Sequence, residues 1–227
     1  PVLAWNASGQ PHETIGAWYQ SYRADTHIDG RNRLHYAYVS YGDGAATTTG
    51  GNASGASHLI YAASPDGGET WKRADGSRIE SLPITHRNAD VVVHADPGNL
   101  LTDASVATTR DGHPIIAFQR SSDVFLARWT GTQWESQPAG GDNVVMVGAP
   151  GGRLLQAGTD NRLHVSLDGG NSGRALCIGS TGSASIALDA EAWAHGNVIS
   201  FRRTVDTAAD GHLIEVYRLA LPKMLGE

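Results

Sequence analysis

The chain has a single cysteine, Cys177, among 227 residues. One thiol cannot close an internal disulfide, and with no CxxC partner it cannot anchor a zinc site. No apolar run approaches the about 18 to 20 residues that a membrane-crossing helix needs. Cationic runs are missing too. Lys and Arg never stand more than two in succession, and 17 of them face 23 Asp and Glu for a formal net charge of −6. Duplex binding asks for a basic face, so nucleic acid is not an expected partner, and neither is a membrane. Sustained 3.6-residue periodicity is absent, which argues against a helical architecture. No signal-peptide pattern follows Pro1, and the missing initiator Met is consistent with removal of an upstream segment.

What is present is a succession of short apolar runs split by Gly, Asp and Asn. Arg33–Val39 (RLHYAYV) alternates on a period of two and reads as a strand, and His58–Ala62 (HLIYA) as another. A turn, SPDGGET, leads into TWKRA. Then come SVATT, the turn RDGH, PIIAFQ, and the runs DVFLARW and QWESQ around the turn TGT. β-Branched and aromatic residues bounded by turn residues predict an antiparallel meander. Two stretches, 42–57 and 73–101, read as long loops, and RADGSR as a surface turn inside the second.

The pattern repeats. HIDGRNRLHYAYVSY, TTRDGHPIIAFQRS and GTDNRLHVSLDGG each place an Asp-Gly or Asp-Asn turn before an apolar strand, and IALDAEAWAHGNVISFRR with DGHLIEVYRLALP is a weaker fourth copy. A small sheet cannot bury both faces alone, so repeated sheets must pack on one another, as in propellers.

Ser64-Pro65-Asp66-Gly67-Gly68-Glu69-Thr70-Trp71 fits S-x-D-x-G-x-T-W. It resembles the Asp-box of BNR-repeat propellers. Its chemistry is that of a folded hairpin: Ser and Asp side chains bond backbone N–H groups, Gly68 takes unusual backbone angles, and Trp71 packs between neighbouring sheets. In sialidase-like propellers such a turn sits on the outer edge, away from the catalytic mouth, so the octet is expected to be scaffold. LLTDASVATTRDGHPIIAFQR with LARWTGTQWESQP, and PHETIGAWYQSYRADTHIDGRNRLHYAYVSYGDG, are similar to blades of the BNR-4 group, which includes polysaccharide lyases like the ulvan lyases. The resemblance implies an all-β β-propeller over residues 1–227. At about 40 to 55 residues per blade, the length allows four to five blades, a partial ring that a second chain or second copy would close.

It also implies a function: a polysaccharide lyase cleaving an acidic, uronate-containing glycan. Elimination needs a cation to neutralise the carboxylate, a base to take the adjacent proton, and an acid for the leaving oxygen. Arg suits the first role through its planar fork, and His or Tyr the others. The expected catalytic residues are His12, Tyr19, His35, Tyr41 and Arg120, with Arg120 at the end of an inner strand. Trp18, Tyr22, Tyr38 and Arg202 are expected to bind substrate. On a strand His35 shares a face with Tyr41, and Tyr36 with Tyr38, so at most one set can face a pocket. The lyase pattern places a Tyr in the lead-in to the Arg120 blade, where this chain has Leu-Leu-Thr-Asp-Ala-Ser. His86 and His94 read as solvated loop residues, and Trp129 and Trp134 as blade core. No metal set is read, and the cofactor is left open. A polysaccharide partner implies a secreted or periplasmic protein. A lectin-like propeller without catalysis, a sialidase-like hydrolase and an interaction fragment are the alternative readings.

Overall fold

The computed structural model describes residues 22–41, 57–82, 84–95, 99, 101–121, 123–139, 146–149, 153–157, 162–166, 174–177, 184–189, 192–193, 198–207 and 211–220. These form four antiparallel sheets. The first holds β1 (Tyr22–Ile28), β2 (Leu34–Tyr41), β3 (Ser57–Ser64), β4 (Trp71–Lys72) and β5 (Arg78–Ile79) in that order, with β6 (Asp90–Ala95) also paired to β3. The second runs β7 (Leu101–Thr108), β8 (Pro114–Arg120), β9 (Asp123–Trp129), β10 (Trp134–Pro138). The third is β11 (Met146–Ala149) to β14 (Arg174–Cys177), through β12 (Arg153–Ala157) and β13 (Arg162–Ser166). The fourth comprises β15 (Ala184–Leu188), β16 (Val198–Thr207) and β17 (Gly211–Ala220).

Local chemistry explains the hairpins. Between β1 and β2, Asp29 Oδ1 accepts from the Arg31 and Arg33 amides at 2.9 and 2.8 Å, and Asn32 takes a φ of 60°. Asn tolerates that left-handed conformation better than most residues. In the 64–70 turn, Ser64 Oγ accepts from the Gly68 amide at 2.7 Å and Asp66 Oδ1 from the Thr70 amide at 2.8 Å. Gly68 sits at φ 100°. This is the hydrogen bonding expected of the octet. Trp71 is 1% exposed. It shares a buried cluster with Tyr36, Ile60, Ala62, Ile79 and Ile84 on the face of the first sheet away from the second.

Period-two alternation divides the core. Ala37, Val39, Leu59 and Tyr61 point at the second sheet, where they meet Val106, Ile116 and Phe118. Their even-numbered neighbours point the other way. Each fully buried Leu, Ile or Phe stabilises by about 1.5 to 3 kcal/mol, so this interface is a main source of cohesion.

The leading strands β1, β7 and β11 pack against one another. Asp25 Oδ2 joins the first two, accepting from Ser105 Oγ and from the Val106 amide, both at 2.9 Å. At the third, a Cβ on Gly148 would stand 2.8 Å from Ala107 Cβ and 2.9 Å from His27 Cε1. Sheets fanning from adjoining first strands are propeller blades, as expected from the repeats.

One expectation fails: residues 73–101 are not a long loop. β5 and β6 interrupt that stretch, β6 because β3 exposes an outer edge that it can pair with. Two ends of the blades can now be distinguished. The turns at 29–33, 64–70, 109–113 and 130–133 mark the turn end. At the other end, the mouth, β2 and β8 finish and β3 and β7 begin.

Candidate functional site

At the mouth, Tyr41 pairs with Ser57 and Leu101 with Arg120. Ser57 Oγ accepts a 3.0 Å hydrogen bond from the Leu101 amide. Positions 41, 57, 101 and 120 therefore form one row across two blades. Arg120 continues the alternation of Ile116 and Phe118 and lies on the face toward the first sheet. Its guanidinium carbon is 5.2 Å from the centre of the Phe125 ring and 6.0 Å from that of Phe118. Its Nε is buried and has no hydrogen-bond partner among the described residues. Aromatic rings hold the cation in place, and a guanidinium is a group suited to a carboxylate. The next residue, Ser121, has a φ of 56°, a conformation costing about 1 to 2 kcal/mol for a residue with a Cβ. That strain allows β8 to turn directly after Arg120.

On the opposite face of the first sheet stands a histidine group that the sequence reading missed. His58, second residue of β3, pairs with Ser40 and His94. Its buried ring stacks on His86 with centroids 4.7 Å apart and 12° between planes, and lies 4.8 Å from His94. His86 is half-buried in this stack, whereas His94 is exposed, as expected of a solvated residue. Residues 84–89 fold back onto the sheet, held by Tyr38, whose hydroxyl donates to the Ile84 carbonyl at 2.7 Å, and by Asn88 Oδ1, which accepts from the Thr85 amide. The signal in the sequence was VVVHA: an apolar run of strand length with His94 near its end. Among the described residues, no three His, Cys, Asp or Glu side chains converge as a metal site requires.

The other expected site residues are scattered. His12, Trp18 and Tyr19 lie outside the described residues. Tyr22 and Tyr41 hold mouth positions by backbone, as the first residue of β1 and the last of β2. Arg202 is mid-strand in β16, opposite Ala187 and Val216. Arg120 ends the second strand of its blade, not the innermost. Tyr38, expected to bind substrate, is instead a core residue. It is 4% exposed, its ring lies 5.2 Å from that of Tyr36, and burial raises its pKa.

His35 is at the turn end, not the mouth. Its Nε2 lies 3.3 Å from Asp29 Oδ2 and its Nδ1 2.7 Å from the Tyr61 hydroxyl. The carboxylate selects the tautomer: Nε2–H donates to Asp29, leaving Nδ1 to accept the Tyr61 O–H. Burial drives the His35 pKa from 6.5 down to about 4, overcoming the attraction of Asp29. Burial alone would raise Asp29, but hydrogen bonds from the Arg33 backbone, the Arg33 side chain and His35 hold it at about 2. His35 and Tyr61 border a cleft of about 400 Å³ between the first two blades. Both faces of β2 are thus occupied, Tyr36 and Tyr38 in packed core and His35 against this cleft.

A family model described as BNR repeat-containing family member matches residues 4–140. No curated protein matches the chain. Among solved structures it is similar to the crystal structure of polysaccharide lyase Uly1, with a TM-score of 0.59 and 12% identity over 88% of this chain and 45% of that one. It is similar as well to a PL25 ulvan lyase, with a TM-score of 0.55 and 16% identity over 87% of this chain and 51% of that one. That lyase has also been solved bound to -[GlcA(1-4)Rha3S]-. The chain spans about half the length of these lyases, and the likeness is one of fold. With the family match covering more than half of its residues and propeller blades underlying it, this chain belongs to the BNR repeat-containing family.

Proposed function

We propose that the chain is a carbohydrate-active propeller that takes an acidic polysaccharide at the mouth and cleaves it by β-elimination next to a uronate. The observation that carries this reading is Arg120: a cation seated on Phe118 and Phe125, its buried Nε without a hydrogen-bond partner among the described residues, at the end of the blades where strands open. The fold shared with polysaccharide lyases supports it.

In the reaction, Arg120 binds the uronate carboxylate and stabilises the charge that develops when the neighbouring C5–H is removed. A base takes that proton. Its electron pair becomes the C4=C5 double bond, the C4–O bond breaks, and the glycosidic oxygen is protonated as it leaves. The start of β7 offers Leu101, Thr102, Asp103 and Ala104 and no tyrosine, so the base and acid come from other residues of this end. Tyr22 and Tyr41 are the candidates by backbone position.

A polymer of this kind is met in the periplasm or outside the cell. A second chain or second copy completes the ring in this reading, which light scattering of the purified protein checks. The test of activity is incubation with uronate polysaccharides, followed through the ultraviolet absorbance of the unsaturated product. Product should form, and Arg120→Gln should abolish it while leaving the circular dichroism unchanged. Retention of the glycan with no product instead supports the lectin-like alternative, which the tyrosine-free start of β7 favours.

A further inference from the structure

The cleft at the turn end is separate from the mouth, and its lining is that of a ligand site. Its volume, about 400 Å³, falls within the about 300 to 1,000 Å³ usual for small-molecule pockets. Two turns, from different blades, form its walls. Arg33 fixes their spacing: its Nε and Nη2 hold Asp29 Oδ2 at 2.8 and 2.7 Å, and Nη2 also donates to the Gly112 carbonyl at 3.0 Å. Gly112, at φ 81°, admits that contact because a Cβ there would lie 2.5 Å from Arg33 Nη2.

The charges are unevenly placed. Arg33 is neutralised by Asp29, and His35 is neutral above about pH 4. The floor, an inner lining that includes Tyr61 at 1% exposed and the edge of Trp129 at 8%, therefore carries no net charge, with Trp129 as its aromatic surface. Its one hydroxyl is already donated to His35. The rim carries Arg31, Lys72 and Arg73 on one side of the balance and Asp75 and Asp111 on the other. Arg73 is braced by Ser77 Oγ at 3.1 Å. Arg31 and Lys72 have no acidic partner among the described residues and project from two different hairpins.

We infer that this cleft binds one unit of an acidic sugar, with its carboxylate or sulfate ester between Arg31 and Lys72 and its ring over the aromatic floor. A bare inorganic anion would use the cations and leave the floor idle. A neutral sugar would use the floor and leave the cations idle. Only a ring that carries a negative group engages both, and the rim carboxylates accept from its hydroxyls. Binding here involves no bond cleavage. The choice of an acidic sugar leans on the proposed function, but the site's occupancy does not depend on the elimination chemistry.

The test separates the two sites. Isothermal titration calorimetry is run at low salt on the Arg120→Gln protein, which lacks the clamp at the mouth. The probes are digalacturonate, a disaccharide with one sulfate ester, and an uncharged disaccharide. Binding of at least one anionic probe is expected, with the His113 ring resonances shifting on titration, since His113 lines the cleft. Which anionic probe binds more tightly identifies the group preferred. Adding Arg31→Ala and Lys72→Ala should weaken binding at least about tenfold, a loss of about 1.4 kcal/mol. Equal affinity for the uncharged sugar, no binding of either anion, or full affinity in the triple variant overturns the inference. Binding in the Arg120→Gln protein with no lyase product from the unaltered chain leaves this site standing and removes the proposed activity.

Discussion

His35 and Tyr61 are joined by a 2.7 Å hydrogen bond between neighbouring strands, β2 and β3, and Asp29 closes the relay from the far side of the imidazole. The relay exists only while His35 is neutral, because a protonated Nδ1 cannot accept the Tyr61 hydroxyl.

Stability should therefore depend on pH in a stated direction. Unfolded, His35 takes up a proton near pH 6.5; folded, only near about 4. Between those values the unfolded chain binds more protons, so stability falls as pH drops through that window and the His35 contribution levels off below it. Asp29, depressed from 3.8 to about 2, adds a further loss between those two values. Thermal melts from pH 7 to pH 4 should show the decline, and His35→Gln should flatten it. His27, also lowered by burial, leaves a residual slope. An unchanged profile in His35→Gln refutes the assignment.

Tyr61→Phe leaves the His35 Nδ1 acceptor without its donor in a buried place. The expected cost is about 1 to 3 kcal/mol, read from urea denaturation midpoints with an unchanged m-value. A loss below a few tenths of a kcal/mol would mean that the bond is replaced by water.

Much of this was legible beforehand, and the boundary is physical. β2 was expected to begin one residue before its observed start and β3 one residue after, because period-two alternation between turn residues is a local property. Alternation also put His35 and Tyr36 on opposite faces of β2. Which face would border a cleft depends on the partner sheet, and no local pattern encodes that. β6 was lost inside an expected loop because Asp90–Ala95 becomes a strand by pairing with β3 some thirty residues earlier in the chain. The grouping of His86 and His94 around His58 was lost with it, as it follows from that pairing. Arg120 was expected at a strand end because the blade pattern this chain resembles closes a strand in Arg, and it does end β8, the second strand of its blade.

The Ser64–Trp71 hairpin should respond to Ser64→Ala. The alanine leaves the Gly68 amide, at 2.7 Å from Oγ, and the Asp66 amide, at 3.3 Å, without their acceptor, in a place where Ser64 is fully buried. About 1 to 3 kcal/mol should be lost. Glycan binding at the mouth, at the other end of the blades, should stay within twofold. A large fall in affinity with little loss of stability would assign this turn to the site after all.

Gly148→Ala tests the junction of the leading strands. The added methyl meets Ala107 Cβ at 2.8 Å and His27 Cε1 at 2.9 Å; the imidazole can turn aside, but Ala107 Cβ cannot retreat without shifting β7. Overpacking of this kind costs about 1 to 3 kcal/mol. Differential scanning calorimetry should record a lowered melting temperature, and an unshifted one would mean that the strands are more loosely joined than described.

β3 has two partners on its outer side: β4 near the turn end, through Ala63 and Lys72, and β6 near the mouth, from Ser57 to Tyr61. Between them they cover amides and carbonyls that would otherwise offer a template to any extended peptide in solution. The division also uncouples the two halves in kinetics. β6 can peel from β3, carrying His94 with it, while the β4–β5 hairpin stays zipped. Deuterium should then enter the amides of 90–95 sooner than those beside Trp71, a gradient of local opening along one strand.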